Sequence, residues 1–184
     1  MRQYVSRAGE KLAYALDCFG IQVRDLICAD LGSSTGGFVD CLLQRGAGKI
    51  YAIDTGYGAL AWKLRRDPRV VVMERTNALH AVLPERVALV SIDVAWTRQK
   101  HIVPAALRML RPAGRIITLI KPHYEADASL LRRGVLGAEH VAGVLERVWE
   151  DIARCGACCE ACAPSPLRGA GGNAEFLALL RPAS

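Results

Sequence analysis

The first chemistry legible in this 184-residue chain lies in Asp30-Leu-Gly-Ser-Ser-Thr-Gly-Gly-Phe38, which joins a strand-like run to a helix-like one. Gly32, Gly36 and Gly37 let backbone approach a ligand closely, and open α/β sheets take ligands beyond the carboxyl ends of their strands. The spacing is not the G-x-G-x-x-G of dinucleotide folds. An acidic residue at the strand's end disfavours a pyrophosphate and suits the ammonium of a methionine moiety. With Ser34 and Phe38 in the same turn, the segment points to S-adenosylmethionine rather than NAD. Asp54 ends the next strand-like run, where a carboxylate can accept two hydrogen bonds from a ribose diol. Asn77 follows a third such run and is placed to meet an adenine edge, with Glu74 as the lesser alternative. The plain reading of the same residues is a tight strand-to-helix turn and a capping aspartate. Their order, each at a strand end, argues against it.

Positioning these residues needs a sheet. Short β-rich runs at 26–30, 49–54, 70–73, 88–92 and 115–120 alternate with helical periodicity at 37–43, 60–66, 99–110 and 140–154. Such alternation predicts a mostly parallel α/β sheet covered by helices on both faces. Two last runs, 157–163 and 175–180, are joined by the Pro- and Gly-rich stretch 164–172. That connection is too short for a crossover helix, so the last strand returns antiparallel. The expected fold is therefore a Rossmann-like class I methyltransferase with a seven-stranded sheet. Residues 6–20 read as a helical extension ahead of it, with Ser6 as its cap, Leu12, Ala15, Leu16 and Phe19 as its apolar face and Gly20 as its end. Residues 122–137, centred on Arg132, Arg133 and Gly134, carry little pattern and read as a mobile substrate loop.

With Tyr4-Val-Ser-Arg-Ala-Gly-Glu-Lys-Leu12, Asp30 to Phe38, Tyr51-Ala-Ile-Asp-Thr-Gly-Tyr-Gly58, Glu74-Arg-Thr-Asn77, Lys121-Pro122 and Glu175-Phe176 in this order, the chain resembles the TlyA (hemolysin A) family of FtsJ-like RNA 2′-O-methyltransferases from about residue 4 to 180. The resemblance implies a Lys-Asp-Lys-Glu tetrad, which falls on Lys11, Asp93, Lys121 and Glu175, with Asp93 also facing the methionine end of the cofactor. It implies methylation of ribose 2′-hydroxyls in ribosomal RNA or ribosomal subunits. A hydroxyl must lose its proton as the methyl arrives, so a base is useful there. Lys121 is the candidate, with Lys11 lowering its pKa or steering the hydroxyl, and the two carboxylates orienting the amines. Each of the four has a bland alternative as a surface charge. Relatives commonly carry an S4-like RNA-binding domain ahead of the segment matching Tyr4 to Leu12, and the expectation is a catalytic domain without it. Residues 94–99 and the pair His123-Tyr124, where Gln-Phe is usual, depart from the family beside the expected acceptor site.

Composition sets the outer limits. The net charge of +6 favours a polyanionic partner, and Arg7, Lys63, Arg65, Arg66, Arg132 and Arg133 are candidates to meet phosphates. No long apolar run or signal-like N-terminus occurs, so a cytoplasmic enzyme with no membrane contact is expected. The whole chain reads as one domain, 1–184, with 1–20 carrying the first tetrad lysine. The seven cysteines include Cys155, Cys158, Cys159 and Cys162, packed too tightly for the usual separated ligand pairs of structural zinc, so no metal is expected. The competing functions are methylation of another acceptor, non-catalytic RNA binding and, least in keeping with the sequence, membrane lysis.

Overall fold

The computed structural model describes residues 3–183. Its elements run α1 (Ala8–Cys18), β1 (Ile27–Leu31), α2 (Gly37–Gln44), β2 (Lys49–Ile53), α3 (Trp62–Arg65), β3 (Val70–Met73), β4 (Val87–Ile92), α4 (Gln99–Met109), β5 (Leu110–Ile120), α5 (Pro122–Glu125), β6 (Leu131–Arg132), β7 (Val135–Leu136), α6 (Ala138–Arg154), β8 (Ala157–Pro164) and β9 (Phe176–Pro182). Seven strands form one sheet in the order β3-β2-β1-β4-β5-β9-β8. Strands β1 to β5 pair in parallel, while β9 runs antiparallel to both β5 and β8. This is the Rossmann-like sheet expected from the sequence.

The central strands are mostly apolar because both faces of the sheet are covered. Alternate side chains go to opposite sides: Leu177 and Leu179 of β9 pack under α1, α2 and α3, and Ala178 and Leu180 pack under α4 and α6. Leu12 and Leu42 anchor the first layer and Ile102 and Ile152 the second, each at most 1% exposed. Each such side chain contributes about 1.5–3 kcal/mol by leaving water.

Two expectations about local structure need correction. Arg7, not Ser6, holds the N-cap position of α1 and makes no side-chain bond there; Ser6 contributes its carbonyl to the Gly9 N–H at 3.2 Å. The stretch 122–137 is built rather than loose. Pro122 starts α5, a 3-10 turn spans Ala128–Leu130, and β6 and β7 form a hairpin. Arg133 and Gly134 turn that hairpin with φ of 51° and 78°, the paired positive angles of a tight hairpin turn. Two-residue strands are too short to show an alternating pattern, which is why the sequence hid them. At the other end of α1 the expectation stands: Gly20, with φ of 65°, follows the C-cap, and Ile21 N–H returns to the Leu16 carbonyl.

Candidate active site

The loops at the carboxyl ends of β1, β2, β3 and β4 are tied together by bonds that continue the sheet's ladder. Gly32 N–H donates to the Ile53 carbonyl, Asp54 N–H to Met73, Thr76 N–H to Asp54 and Asp93 N–H to Leu31, all at 2.9–3.1 Å. Gly32 is obligatory in this arrangement: its φ is 86°, and a Cβ there would lie 2.6 Å from the Asp93 carbonyl oxygen.

A cleft of about 520 Å³ opens over these ends. Of the residues that the sequence offers for a cofactor, Asp30, Gly32, Ser34, Gly37, Phe38, Asp54, Asn77 and Asp93 all line it. Gly36 does not. The place a side chain would take on it lies 2.7 Å from Leu60 and closer still to Leu64, so Gly36 shapes the turn into α2 by its φ of 96°. Glu74 stands apart from the cleft, engaged by Arg65 and by the Gly58 N–H, so that of the two candidates Asn77 is the one that lines it.

The cleft's two ends differ in chemistry. At one end Asp54 accepts the Ser34 N–H at 2.8 Å on one oxygen and the Gly56 N–H at 2.7 Å on the other. Each oxygen keeps a further lone pair for a diol. Asn77 folds its carbonyl oxygen onto the Leu79 N–H at 3.0 Å, so its amide N–H₂ is left for a ligand. At the other end Asp30 is 1% exposed, with Oδ1 accepting from Ser91 at 2.7 Å and Oδ2 buried without a partner. Burial pushes its pKa up to about 7, helped by the charges of Asp93 and Asp54 and opposed by the Ser91 hydrogen bond. Ser33 Oγ, buried and unpartnered in the same wall, is a second polar atom that lacks a mate. Sequence reasoning passed over Ser33 and Ser91, because single serines carry no pattern.

A second cavity, about 300 Å³, adjoins the first through Ser6, Ala8, Asp93 and Lys121. Lys11, Asp93, Lys121 and Glu175, which lie far apart in sequence, all line it. They form two ion pairs: Lys11 with Glu175, both under 8% exposed, and Lys121 with Asp93 at 2.6 Å. Lys121 also donates to the Val94 carbonyl at 3.0 Å. Its amine is thus engaged as a donor, and would have to release a proton before accepting one.

Lys11 reaches this cavity because α1 crosses α2 at two glycines. A Cβ on Gly9 would lie 2.8 Å from the Gly37 carbonyl, and one on Gly37 would lie 2.9 Å from the Gly9 nitrogen. Glu175 precedes β9 and is steadied by a loop that Asn173 organises. The Asn173 side chain donates to the Gly134 and Ala170 carbonyls and accepts from the Leu136 N–H, which ties the β6–β7 hairpin to the same loop.

Two aromatic side chains from the segments that depart from the family, Trp96 and Tyr124, stand at the mouth. Trp96, 80% exposed, lies with its ring 4.6 Å from that of Tyr124, and Lys121 sits 5.8 Å from the Tyr124 ring. The basic candidates divide. Lys63 pairs with the buried Asp40 at 2.9 Å and Arg65 with Glu74, so both serve the fold. Arg7 lines the second cavity, and Arg132 and Arg133 are exposed on the hairpin. Of the cysteines in question, Cys155 caps α6 and the other three lie in β8.

A Rossmann-like sheet with a nucleoside-sized cleft at its carboxyl edge and a charged second cavity beside it defines a transferase of the S-adenosylmethionine-using class. The sequence profile of FtsJ-like methyltransferases matches residues 4–181, and the chain belongs to that family. It is 44% identical to YqxC of Bacillus subtilis, across 95% of this chain and 64% of that protein. It is 40% identical to the 16S/23S rRNA (cytidine-2′-O)-methyltransferase TlyA of Mycobacterium tuberculosis, across 98% of this chain and 69% of TlyA. A solved structure from Streptococcus thermophilus, 38% identical, superposes with a TM-score of 0.96 over all of this chain and 69% of its own. The chain therefore spans about two thirds of the length of these relatives.

Proposed function

We propose that this chain is the catalytic part of an S-adenosylmethionine-dependent methyltransferase that modifies ribose 2′-hydroxyls of ribosomal RNA in the cytoplasm. One observation carries the reading: Lys11, Asp93, Lys121 and Glu175 meet in a single cavity that opens into a nucleoside-sized cleft.

The cleft's donor set fits the cofactor. Asp30 offers an unpaired buried oxygen to an ammonium, Ser33 an unpaired hydroxyl, Asp54 two acceptor oxygens to a diol and Asn77 an amide to a purine edge. When bound, the cofactor supplies an electrophilic methyl on a sulfonium. The protein's own residues do the rest. Lys11 and Lys121, held by Glu175 and Asp93, place two amines beside the acceptor oxygen, where they stabilise the negative charge that grows as the proton leaves. Holding acceptor and methyl in line removes much of the entropic barrier. The Trp96–Tyr124 pair gives an unstacked base a surface to lie on, the usual way proteins hold single nucleotides of RNA. Among the described residues no helix is long and apolar enough to cross a membrane, so the lytic alternative finds no support there.

The test is transfer of tritiated methyl from S-adenosylmethionine to ribosomal subunits and to deproteinised rRNA, with the product mapped by nuclease-resistant dinucleotides. Wild type should label 2′-hydroxyls, and Lys121→Ala should bind the cofactor yet transfer at least about a hundredfold more slowly. Full transfer by Lys121→Ala would overturn the role given to the tetrad.

A further inference from the structure

The cysteines that crowd together in the sequence near residue 160 are sorted by the strand that carries them. Successive residues of a strand face opposite sides, so Cys159 and Cys162, three apart, would ordinarily point to different layers. A bulge between Cys159 and Ala161 shifts the register by one. Cys159 then stands opposite Leu180 and Cys162 opposite Ala178, two residues of β9 that pack under α4 and α6, while Ala161, opposite Leu179, turns to the other layer. Paired residues share a face, so the two thiols are neighbours on the α6 side of the sheet. They line one apolar groove of about 340 Å³ with Leu145 and Trp149 of α6, Pro164 of β8 and Phe176 of β9. Strand β8 is an edge of the sheet and both cysteines are exposed, so the groove is open to solutes. None of its residues lines the cofactor cleft or the tetrad cavity. The other two thiols are turned elsewhere: Cys158 stands opposite Arg181 on the far face, and Cys155 donates to the Lys100 carbonyl at 3.4 Å.

Two thiols so placed suit an ion between them better than a bond to each other. Same-face neighbours on a strand lie about 6.6 Å apart at Cα, near the limit that a disulfide spans, whereas two metal–sulfur bonds of about 2.3 Å let the sulfurs stand up to about 4.6 Å apart. Loss of water against the groove's apolar wall pushes the Cys162 thiol up to about 11, with Cys159 adding to the effect, and it raises Cys159 as well. Both are therefore protonated at pH 7 and slow to oxidise. A cation must displace those protons, which selects a soft one with strong bonds to sulfur. Two ligands must also satisfy it. Among the described residues no three His, Cys, Asp or Glu side chains are grouped to hold a metal, and Glu160, beside Cys159, is engaged by Arg115 and Arg181. Zinc, which takes four ligands, does not fit; copper(I), content with two thiolates in a near-linear arrangement, does. We propose that Cys159 and Cys162 form a two-thiolate site for a soft monovalent metal ion, copper(I) in the first place, at the outer edge of the sheet. On binding, two S–H bonds break and two sulfur–metal bonds form. The two protons go to solvent, no electron changes hands, and a single negative charge is shared by the two exposed sulfurs.

Anaerobic titration of the reduced chain with copper(I), in competition with bathocuproine disulfonate, tests this. Wild type should bind one ion per chain with the ultraviolet absorption of a copper–thiolate bond. Affinity should fall at least about a hundredfold in Cys159→Ser and in Cys162→Ser, and stay unchanged in Cys155→Ser and Cys158→Ser. Because two protons leave, wild-type affinity should rise by up to about a hundredfold per pH unit between pH 6 and 8. Retained affinity in Cys159→Ser or Cys162→Ser, a loss in Cys158→Ser, or a slope of one proton or none overturns the proposal.

A second readout needs no variant and so does not depend on how the serine substitutions fold. Brief alkylation of the wild-type chain by N-ethylmaleimide, read by peptide mass spectrometry, should label Cys159 and Cys162 less when copper(I) is bound, by at least about tenfold, and leave the labelling of Cys18 and Cys155 unaltered. Protection of other cysteines in their place, or of none, overturns the proposal.

Discussion

A carboxylate held in a dry wall with one oxygen unpaired is costly, and Asp30 is held that way by β1 at its back and the Ser91 hydroxyl at its side. Its folded pKa, about 7, lies above the ordinary 3.8. The sign follows from that order. The neutral acid is what the fold prefers, so the stability contributed by Asp30 is fully present below pH 4 and is lost as the pH rises through 7. A cationic ligand reverses the preference, because an ammonium beside the carboxylate favours its ionised form. Affinity for S-adenosylmethionine should therefore rise between pH 5 and 7, by up to about tenfold per unit, and level off above, while Asp30→Asn should bind weakly and lose the slope. Calorimetry across that range decides it, and a flat wild-type profile would refute the pairing. At this scale the sequence was informative where residue type and strand-end position coincide, as at Asp30, Asp54 and Asn77. It was silent on which buried atoms lack a partner, as at Ser33, because hydrogen-bond satisfaction is a property of the packed site.

The elements decide whether those residues meet. Helix α1 adds no strand and closes no sheet, yet it delivers Lys11 to Glu175 across the width of the domain. Its approach depends on Gly9 and Gly37 having no side chains where the backbones cross. Gly9→Ala sets a methyl against the Gly37 carbonyl and against the side chain of Tyr4, which belongs to the core. The expected cost is about 1–3 kcal/mol, the usual penalty for overpacking. The more telling effect is on rate: α1 must shift, Lys11 withdraws, and methyl transfer should fall by at least about tenfold while cofactor affinity changes far less. Thermal melts beside single-turnover rates separate the two effects, and a variant that melts low but transfers at full rate would show that α1 does not position the lysine. Helix α1 was legible from the stripe it buries, and most parallel strands from short runs buried on both faces. Strand β5 starts at Leu110, earlier than the apolar run implies, because Pro112 and Gly114 read as breakers where the structure places a register shift against β4. The β6–β7 hairpin escaped for a different reason, since it is held by Asn173 from across the fold and not by a pattern of its own.

At the scale of the whole molecule, the net charge of +6 matters less than where it is left unspent. Lys63 and Arg65 look like part of a basic helix face in the sequence, but Asp40 and Glu74 consume them. Arg132 and Arg133 engage in no ion pair among the described residues, and the hairpin that presents them is bonded through Asn173 to Ala170 on the rim of the tetrad cavity. Part of the positive charge available to a polyanion therefore lies beside the tetrad cavity. Each phosphate contact that releases a counterion adds to the steepness with which binding weakens in salt, by about 0.7 per contact for single strands and 0.9 for duplex DNA. Removing both hairpin arginines as Arg132→Ser/Arg133→Ser should weaken binding to an rRNA fragment at low salt and make the plot of log affinity against log salt shallower by about 1 to 2. Lys63→Ser/Arg65→Ser should leave that slope alone and lower the melting temperature instead, because it leaves the buried carboxylate of Asp40 with hydrogen bonds from Val5 and Gln44 but no counter-charge. An unchanged slope in the hairpin variant, or a shallower one in the helix variant, would mean that RNA approaches this domain over a different face, and the aromatic mouth at Trp96 and Tyr124 would then have to be reached from that side.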